Sequence, residues 1–263
     1  MLAIVTGSSR GFGRTLLESC DKLGFETVGL CRKPVLKNEI SCDLSNENSY
    51  KDVIERVSVF KTSATKFKNG TEFKRIVVIH NAGSVGPIDK KFEENTNLEK
   101  DLRTYLEVNL VSFASLTSQV YKHFPNSEIT FVNISSLCAV APFSTLGFYC
   151  SGKAARDMFF GCLAKESEDG ERRVRFLNYA PGPLDTDMYK TIEDESASDS
   201  IKNMFGENRK GILSVGQSCD ILMKLVFPEK FDSKWDGVYK WKSGDHVDYF
   251  DVVEDLAPEG FEN

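Results

Sequence analysis

The chain has 263 residues, 41% hydrophobic and 27% charged, and its 33 Lys and Arg against 39 Asp and Glu leave a formal charge of −6. That length suits one α/β domain with a sizeable core, and the acidic balance argues against a broad nucleic-acid or anionic-membrane surface while leaving room for a small basic pocket. No apolar window is long enough to predict a transmembrane helix, the opening Met1 to Thr6 lacks a signal-peptide pattern, and seven scattered cysteines without C-x-x-C predict core residues in a reducing cytoplasm rather than a disulfide scaffold or a zinc site.

Short apolar runs alternate with longer amphipathic stretches, which predicts one doubly wound α/β domain of the Rossmann type with a mainly parallel sheet. Strands are expected at 2–6, 26–31, 75–80, 128–134 and 174–179, and helices near 13–23, 46–59, 97–123, 148–166 and 216–226. Only ten residues separate Arg32 from Asp43, few for a helical crossover, so a short loop is expected there. The acidic stretch 191–200, TIEDESASDS, reads as a solvated loop or as a mobile lid. Both 237–241 and 246–250 qualify as the strand that closes the sheet, and 251–263 reads as a tail.

Between the first strand and the first helix stands Thr6-Gly-Ser-Ser-Arg-Gly-Phe-Gly13, whose glycines are spaced G-x-x-x-G-x-G. Gly7, Gly11 and Gly13, with Ser9, Arg10 and Phe12 between them, form a loop that lets backbone amides approach a pyrophosphate at the positive end of a helix dipole. An acid at the end of the second strand would accept a ribose 2′-hydroxyl, whereas Arg favours a 2′-phosphate. Here Arg32 and Lys33 follow that strand, Arg10 adds a third cation, and the expected cofactor is NADPH or NADP. Asp43, followed by Leu44, caps a helix or accepts from an adenine amino group.

Tyr149 and Lys153 stand four apart and share a helix face, the one Tyr–Lys pair in the chain with that spacing. An ammonium beside a phenol favours the phenolate, so such a Tyr can give a proton to a carbonyl oxygen. Ser136, at the end of a strong strand, can polarise the same oxygen. No residue set suggests a metal.

The Gly loop, His80-Asn-Ala-Gly83, Asn109, Ser136, Tyr149-x-x-x-Lys153 and Pro181-Gly182 together resemble the short-chain dehydrogenase/reductase family, in the right order over nearly the whole chain. Segments 133–138, 149–158, 178–188 and 242–249 are similar to pterin-reducing members. The resemblance implies that Tyr149 is the proton donor, that Lys153 holds the nicotinamide ribose and lowers the Tyr pKa, and that Ser136 orients the carbonyl, with Leu137 and Gly182 lining the pocket. It implies that Asn109 stabilises a helix kink and a water-mediated proton path to Lys153. Asn81, Ala82, Gly83, Pro181, Leu184, Asp185, Thr186, Asp187 and Met188 would line the cofactor; the plainer reading of 181–188 is a Pro-Gly-Pro turn with Asp185 as helix cap. Asp248 would grip the guanidine-like edge of a pterin, and otherwise is one more acid in an exposed tail. His80 stands where the family has Asn and reads as a hydrogen-bonded structural residue. A homodimer packed through the long helices is implied, with a small-molecule pterin as substrate. The competing readings are a reductase of other ketones or dicarbonyls and a nucleotide-binding sensor without catalysis.

Overall fold

The computed structural model describes residues 1–64, 73–170, 173–231 and 239–256. Seven parallel strands form one sheet: β1 (Leu2–Thr6), β2 (Glu26–Cys31), β3 (Glu39–Ser41), β4 (Arg75–His80), β5 (Glu128–Ile134), β6 (Val174–Ala180) and β7 (His246–Asp248), in the order β3-β2-β1-β4-β5-β6-β7. The order reverses between β1 and β4, the switch point where ligands bind beyond the carboxyl ends of such sheets. Of the two closing candidates, 246–248 forms the edge strand, and residues 237 and 238 of the other lie outside the described residues.

Successive strand side chains point to opposite faces, so a buried parallel strand is apolar throughout. In β1, Ala3 and Val5 join a core beneath α1 (Gly11–Lys22) and α9 (Val215–Val226), while Leu2 and Ile4 join the opposite core. That second core takes Tyr50 from α2 (Glu47–Tyr50), Val53, Ile54 and Val57 from α3 (Val53–Ala64), Phe113 and Leu116 from α5 (Ser112–His123) and Phe160 from α6 (Gly147–Glu166). The stretch expected as one helix over 46–59 is therefore two, and Asn46, which accepts from the Asn48 amide at 3.0 Å, caps the first in place of Asp43. Asp43 instead folds onto Ser45, whose amide and hydroxyl donate to it at 3.0 and 2.8 Å.

The expected helix over 97–123 also divides, into α4 (Leu98–Leu106) and α5 with a π-helical turn between them at Glu107–Val111. The acidic stretch is not a loop. Residues 191–195 complete α7 (Asp187–Glu195) and 199–200 open α8 (Asp199–Glu207). A window over 191–200 holds only Ile192 of two apolar groups: Tyr189 and Ile192 on one helix, Ile201, Met204 and Phe205 on the other. The helices close on each other through Tyr189 and Phe205, with ring centroids 4.7 Å apart and a 2.6 Å bond from the Tyr189 hydroxyl to the Phe205 carbonyl. The start of the expected tail is helical too, as α10 (Tyr249–Leu256).

Candidate active site

The Gly loop leaves β1 and enters α1 with Gly7 and Gly11 at φ +70° and +55°, in the left-handed region that favours glycine. Asn81 crosses from the end of β4 to donate to the Thr6 carbonyl at 3.1 Å and the Gly7 carbonyl at 3.4 Å, and the Thr6 hydroxyl accepts from the Ala82 amide at 3.0 Å. A Cβ at Gly13 would run into Asn81 and the Gly7 carbonyl, so the loop can be drawn this tightly onto the helix end only without a side chain there. No side chain caps α1, and its first turn carries no acid. Its free amides and dipole therefore face the cleft as a site for an anion, which is what a cofactor pyrophosphate requires.

The short 32–38 connection is held shut by Glu39, a residue that the sequence reading passed over. Its carboxylate is buried and accepts from the Ser8 hydroxyl at 2.8 Å, the Val35 and Leu36 amides at 2.8 and 2.9 Å, and Arg14 at 3.3 Å. Burial pushes its pKa up, but these donors outweigh burial and leave it below the ordinary value. An acid thus lies beside the Gly loop, yet its charge is consumed internally. Arg32 and Lys33 are exposed at the end of β2, whereas Arg10 is ion-paired with Asp187 at 2.5 Å.

On the other side of the switch point, Ser136 follows β5 by two residues, and its hydroxyl accepts from the Cys138 amide at 3.1 Å. Tyr149 and Lys153 project from the first turns of α6, and the Lys153 ammonium lies 5.4 Å from the Tyr149 ring centre. Lys153 also donates to the Ile134 carbonyl, beside Ser136 in the chain. The phenol sits 3.7 Å from the Met188 sulfur, at the start of α7. The sequence reading expected the ammonium to lower the Tyr149 pKa, but in the structure burial dominates. It raises Tyr149, with Cys138 adding to the rise while Ser136 and Arg156 oppose it. Burial, then Arg156, brings Lys153 down to about 7.

Asn109 sits in the π-helical turn, buried. Its side-chain amide donates to the Tyr105 carbonyl at 2.9 Å, the group to which its backbone amide would donate in an uninterrupted α-helix. Its oxygen accepts from the Ser84 amide at 2.9 Å, so the kink is fastened to the turn after Gly83. His80 is buried, with Thr117 at 3.1 Å from its Nε2; burial and then Arg156 drive its pKa well down, so it is neutral and structural.

Leu184 pairs with Leu213, and the Pro-Gly-Pro turn ahead of it places Gly182 at φ +73°. Thr186, not Asp185, caps α7, accepting from the Tyr189 amide at 3.4 Å; Asp185 lies one residue too early and faces Lys190 at 3.9 Å. Asp248 ends β7 in register with Ala180, two residues before Gly182, and is half-buried rather than tail-like. Burial raises its pKa, and the Phe250 amide, donating at 2.9 Å, works against that. Leu137, which opens the turn after Ser136, is exposed.

Beneath these groups a polar row crosses the sheet in register: His80 beside Asn133, Asn133 beside Asn178, Asn178 beside His246. Asp157 of α6 ties it together, accepting from Asn133 at 2.8 Å and Ser135 at 2.7 Å, with His246 Nδ1 at 2.6 Å. Neither Asp157 nor Arg156 was singled out from the sequence, although charges at the third and fourth positions after Lys153 on a core-facing helix were the available sign.

The family model for the short chain dehydrogenase matches residues 1–197. Sepiapterin reductase from Xenopus tropicalis is 33% identical over 268 residues, 95% of this chain and 97% of that protein, and the Bos taurus enzyme is 32% identical over 274 residues, 95% and 94%. Benzil reductase from Bacillus subtilis is 29% identical over 206 residues, 75% and 80%. Among solved structures, the KRED1-Pglu enzyme superposes with a TM-score of 0.74 at 22% identity, covering 94% of this chain and 99% of that one, a likeness of fold.

Proposed function

The chain belongs to the short-chain dehydrogenase family, and on that premise we propose that it is an NADPH-dependent carbonyl reductase, a sepiapterin reductase that reduces the side-chain ketone of a pterin in tetrahydrobiopterin synthesis. The observation that carries the reading is the convergence of Ser136, Tyr149 and Lys153 near the carboxyl end of β5, with Asp248 at the carboxyl end of β7, two strands away in the same sheet. The Gly7–Gly13 loop and the uncapped end of α1 would hold the cofactor, which would supply hydride. Ser136 holds the carbonyl oxygen by its hydroxyl, and Tyr149 donates the proton to that oxygen. Lys153, four residues along the same face, binds the ribose hydroxyls and favours the phenolate left behind. The Asp248 carboxylate accepts from adjacent N–H donors of the pterin in a two-point contact. Exposed Arg32 and Lys33 favour a 2′-phosphate.

Exposed Val111 on the π-helical turn and Met158 on α6 support a homodimer packed through the long helices, and seven free cysteines support a reducing, cytoplasmic setting. The similarity to benzil reductase favours, as a second reading, a reductase of other ketones or dicarbonyls. NADPH oxidation is measured with sepiapterin and with simple diketones. Tyr149→Phe lowers kcat by about 10²–10⁴-fold with either substrate, and Asp248→Ala raises KM for sepiapterin alone. Undiminished turnover by Tyr149→Phe overturns the mechanism, and an unaltered sepiapterin KM in Asp248→Ala overturns the pterin anchor.

A further inference from the structure

Three residues after Lys153, α6 carries a charge for which the proposed reaction has no stated use. Arg156 is 1% exposed, and among the described residues no carboxylate pairs with it. Its guanidinium lies 4.4 Å over the Phe113 ring. One arm donates to the His80 carbonyl at 2.8 Å and another to the Ala82 carbonyl at 3.1 Å, while Nε has no partner. A full charge held in the interior with no carboxylate in ion-pair contact is expensive, Asp157 next in the chain acting on it only at longer range, and an apolar residue of similar volume is the cheaper way to fill a core. Satisfying two carbonyls at a strand end does not call for a charge either, since a neutral amide can donate.

The geometry points to Arg156 as a positioning residue of the reaction: its fork fixes the turn from His80 to Ala82 under the cofactor, and its charge favours the phenolate that Tyr149 becomes on giving up its proton. The turn it grips is the one whose Asn81 and Ala82 are bonded to the Gly loop, so the fork braces both walls of the cofactor cleft. The charge acts on the phenol as well: Arg156 stands seven residues after Tyr149 on α6, two turns along the same face and buried like it, and its charge lowers the pKa of Tyr149 and also that of Lys153. The other titratable groups facing Tyr149 are Cys150 and Lys153 on its own helix, Cys138 from the turn after β5 and Tyr105 from α4. Cys138, Cys150 and Tyr105 bear no positive charge, so Arg156 adds to Lys153 the second buried cation in this surround.

The inference rests on Tyr149 as proton donor, and two variants separate its parts. Arg156→Gln keeps amide donors and loses the charge; Arg156→Lys keeps the charge and loses the fork. The profile of kcat/KM against pH is recorded for NADP-dependent oxidation of the alcohol product, which draws on the phenolate, and NADPH affinity is measured by fluorescence. In Arg156→Gln the rising limb moves to higher pH by about one unit. In Arg156→Lys the limb stays in place and NADPH binds several-fold more weakly. A limb unmoved in Arg156→Gln, or moved equally in both variants, overturns the inference. Should the Gln variant not fold, a shifted limb in Arg156→Lys overturns it alone. Loss of turnover in Tyr149→Phe with an unmoved limb in Arg156→Gln leaves the reductase reading standing and removes only this inference, whereas undiminished turnover in Tyr149→Phe removes both.

Discussion

Arg10 and Asp187 stand 177 residues apart in the chain and 2.5 Å apart in space. Their ion pair joins the Gly loop to the first residue of α7 across the cofactor cleft. The cation cluster expected from Arg10, Arg32 and Lys33 is thus reduced by one, because Arg10 already has an anion.

Both partners are largely exposed, 75% and 62%, so the bond is weak, about 0–1 kcal/mol. Asp187→Asn frees Arg10 for a 2′-phosphate and tightens NADPH binding up to about five-fold at low salt. The gain shrinks as ionic strength rises, and NADH affinity does not change. Fluorescence titrations with both nucleotides at two salt concentrations check this; equal NADPH affinities in variant and parent would exclude Arg10 from the phosphate site.

Glu39 governs the stability of the 32–38 connection. Glu39→Gln removes a buried acceptor of four donors and destabilises the fold by about 1–3 kcal/mol in urea titrations at pH 7. Its folded pKa is lowered, so its stabilisation is complete above the unfolded carboxylate value and is lost as pH falls through the folded one. The gap between parent and variant therefore narrows on acidification below about pH 4.3. A constant gap would mean that the carboxylate charge contributes nothing.

Lys153 is pulled down to about 7, so at neutral pH a sizeable share of the apo protein carries it without its proton. Ribose hydroxyls and cofactor phosphates favour the ammonium, and binding then draws a proton from solution. Calorimetric titrations of NADPH at pH 7.5 in buffers of different ionisation enthalpy are expected to show net uptake that vanishes in Lys153→Met and fades toward acid pH, where Lys153 is already charged.

His246 and Asp157 make the opposite pH signature. The hydrogen bond to Asp157 raises the His246 pKa, against burial. Stability from this pair is fully present below the unfolded His value, about 6.5, and is lost as pH rises through the folded value. His246→Asn accordingly lowers stability more at pH 6 than at pH 8.5. Denaturant titrations at the two values test the sign, and a larger deficit at the higher pH would contradict it.

Much of the framework is legible in the residues because it rests on period and burial. The first four expected strands, 2–6, 26–31, 75–80 and 128–134, have the observed bounds, and the fifth gains only Ala180. Tyr149 and Lys153 are legible because four residues on a helix share a face whatever surrounds them. The meaning of a charge is not legible in this way. Glu39, Arg156 and Asp157 look like solvated residues until three or more distant segments close over them, and the worth of Lys153 to Tyr149 depended on how dry the pocket was. The stretch 191–200 was misread for a related reason, since all but Ile192 of the apolar residues that make its helices lie just outside it.

The π-helical turn at Glu107–Val111 has one more consequence, for which lengths of chain this fold tolerates. A π-helical turn holds one residue more than an α-helical one, so removing that residue would close α4 and α5 into one continuous α-helix, with everything after it facing much as before. Phe113, Leu116, Thr117 and Val120, all buried, would keep facing the sheet, while the Tyr105 carbonyl, which now accepts from the Asn109 side chain, would return to a backbone amide. A single-residue deletion here should accordingly spare the core and act instead on the cleft, because the Ser84 amide would lose the Asn109 oxygen that fastens it.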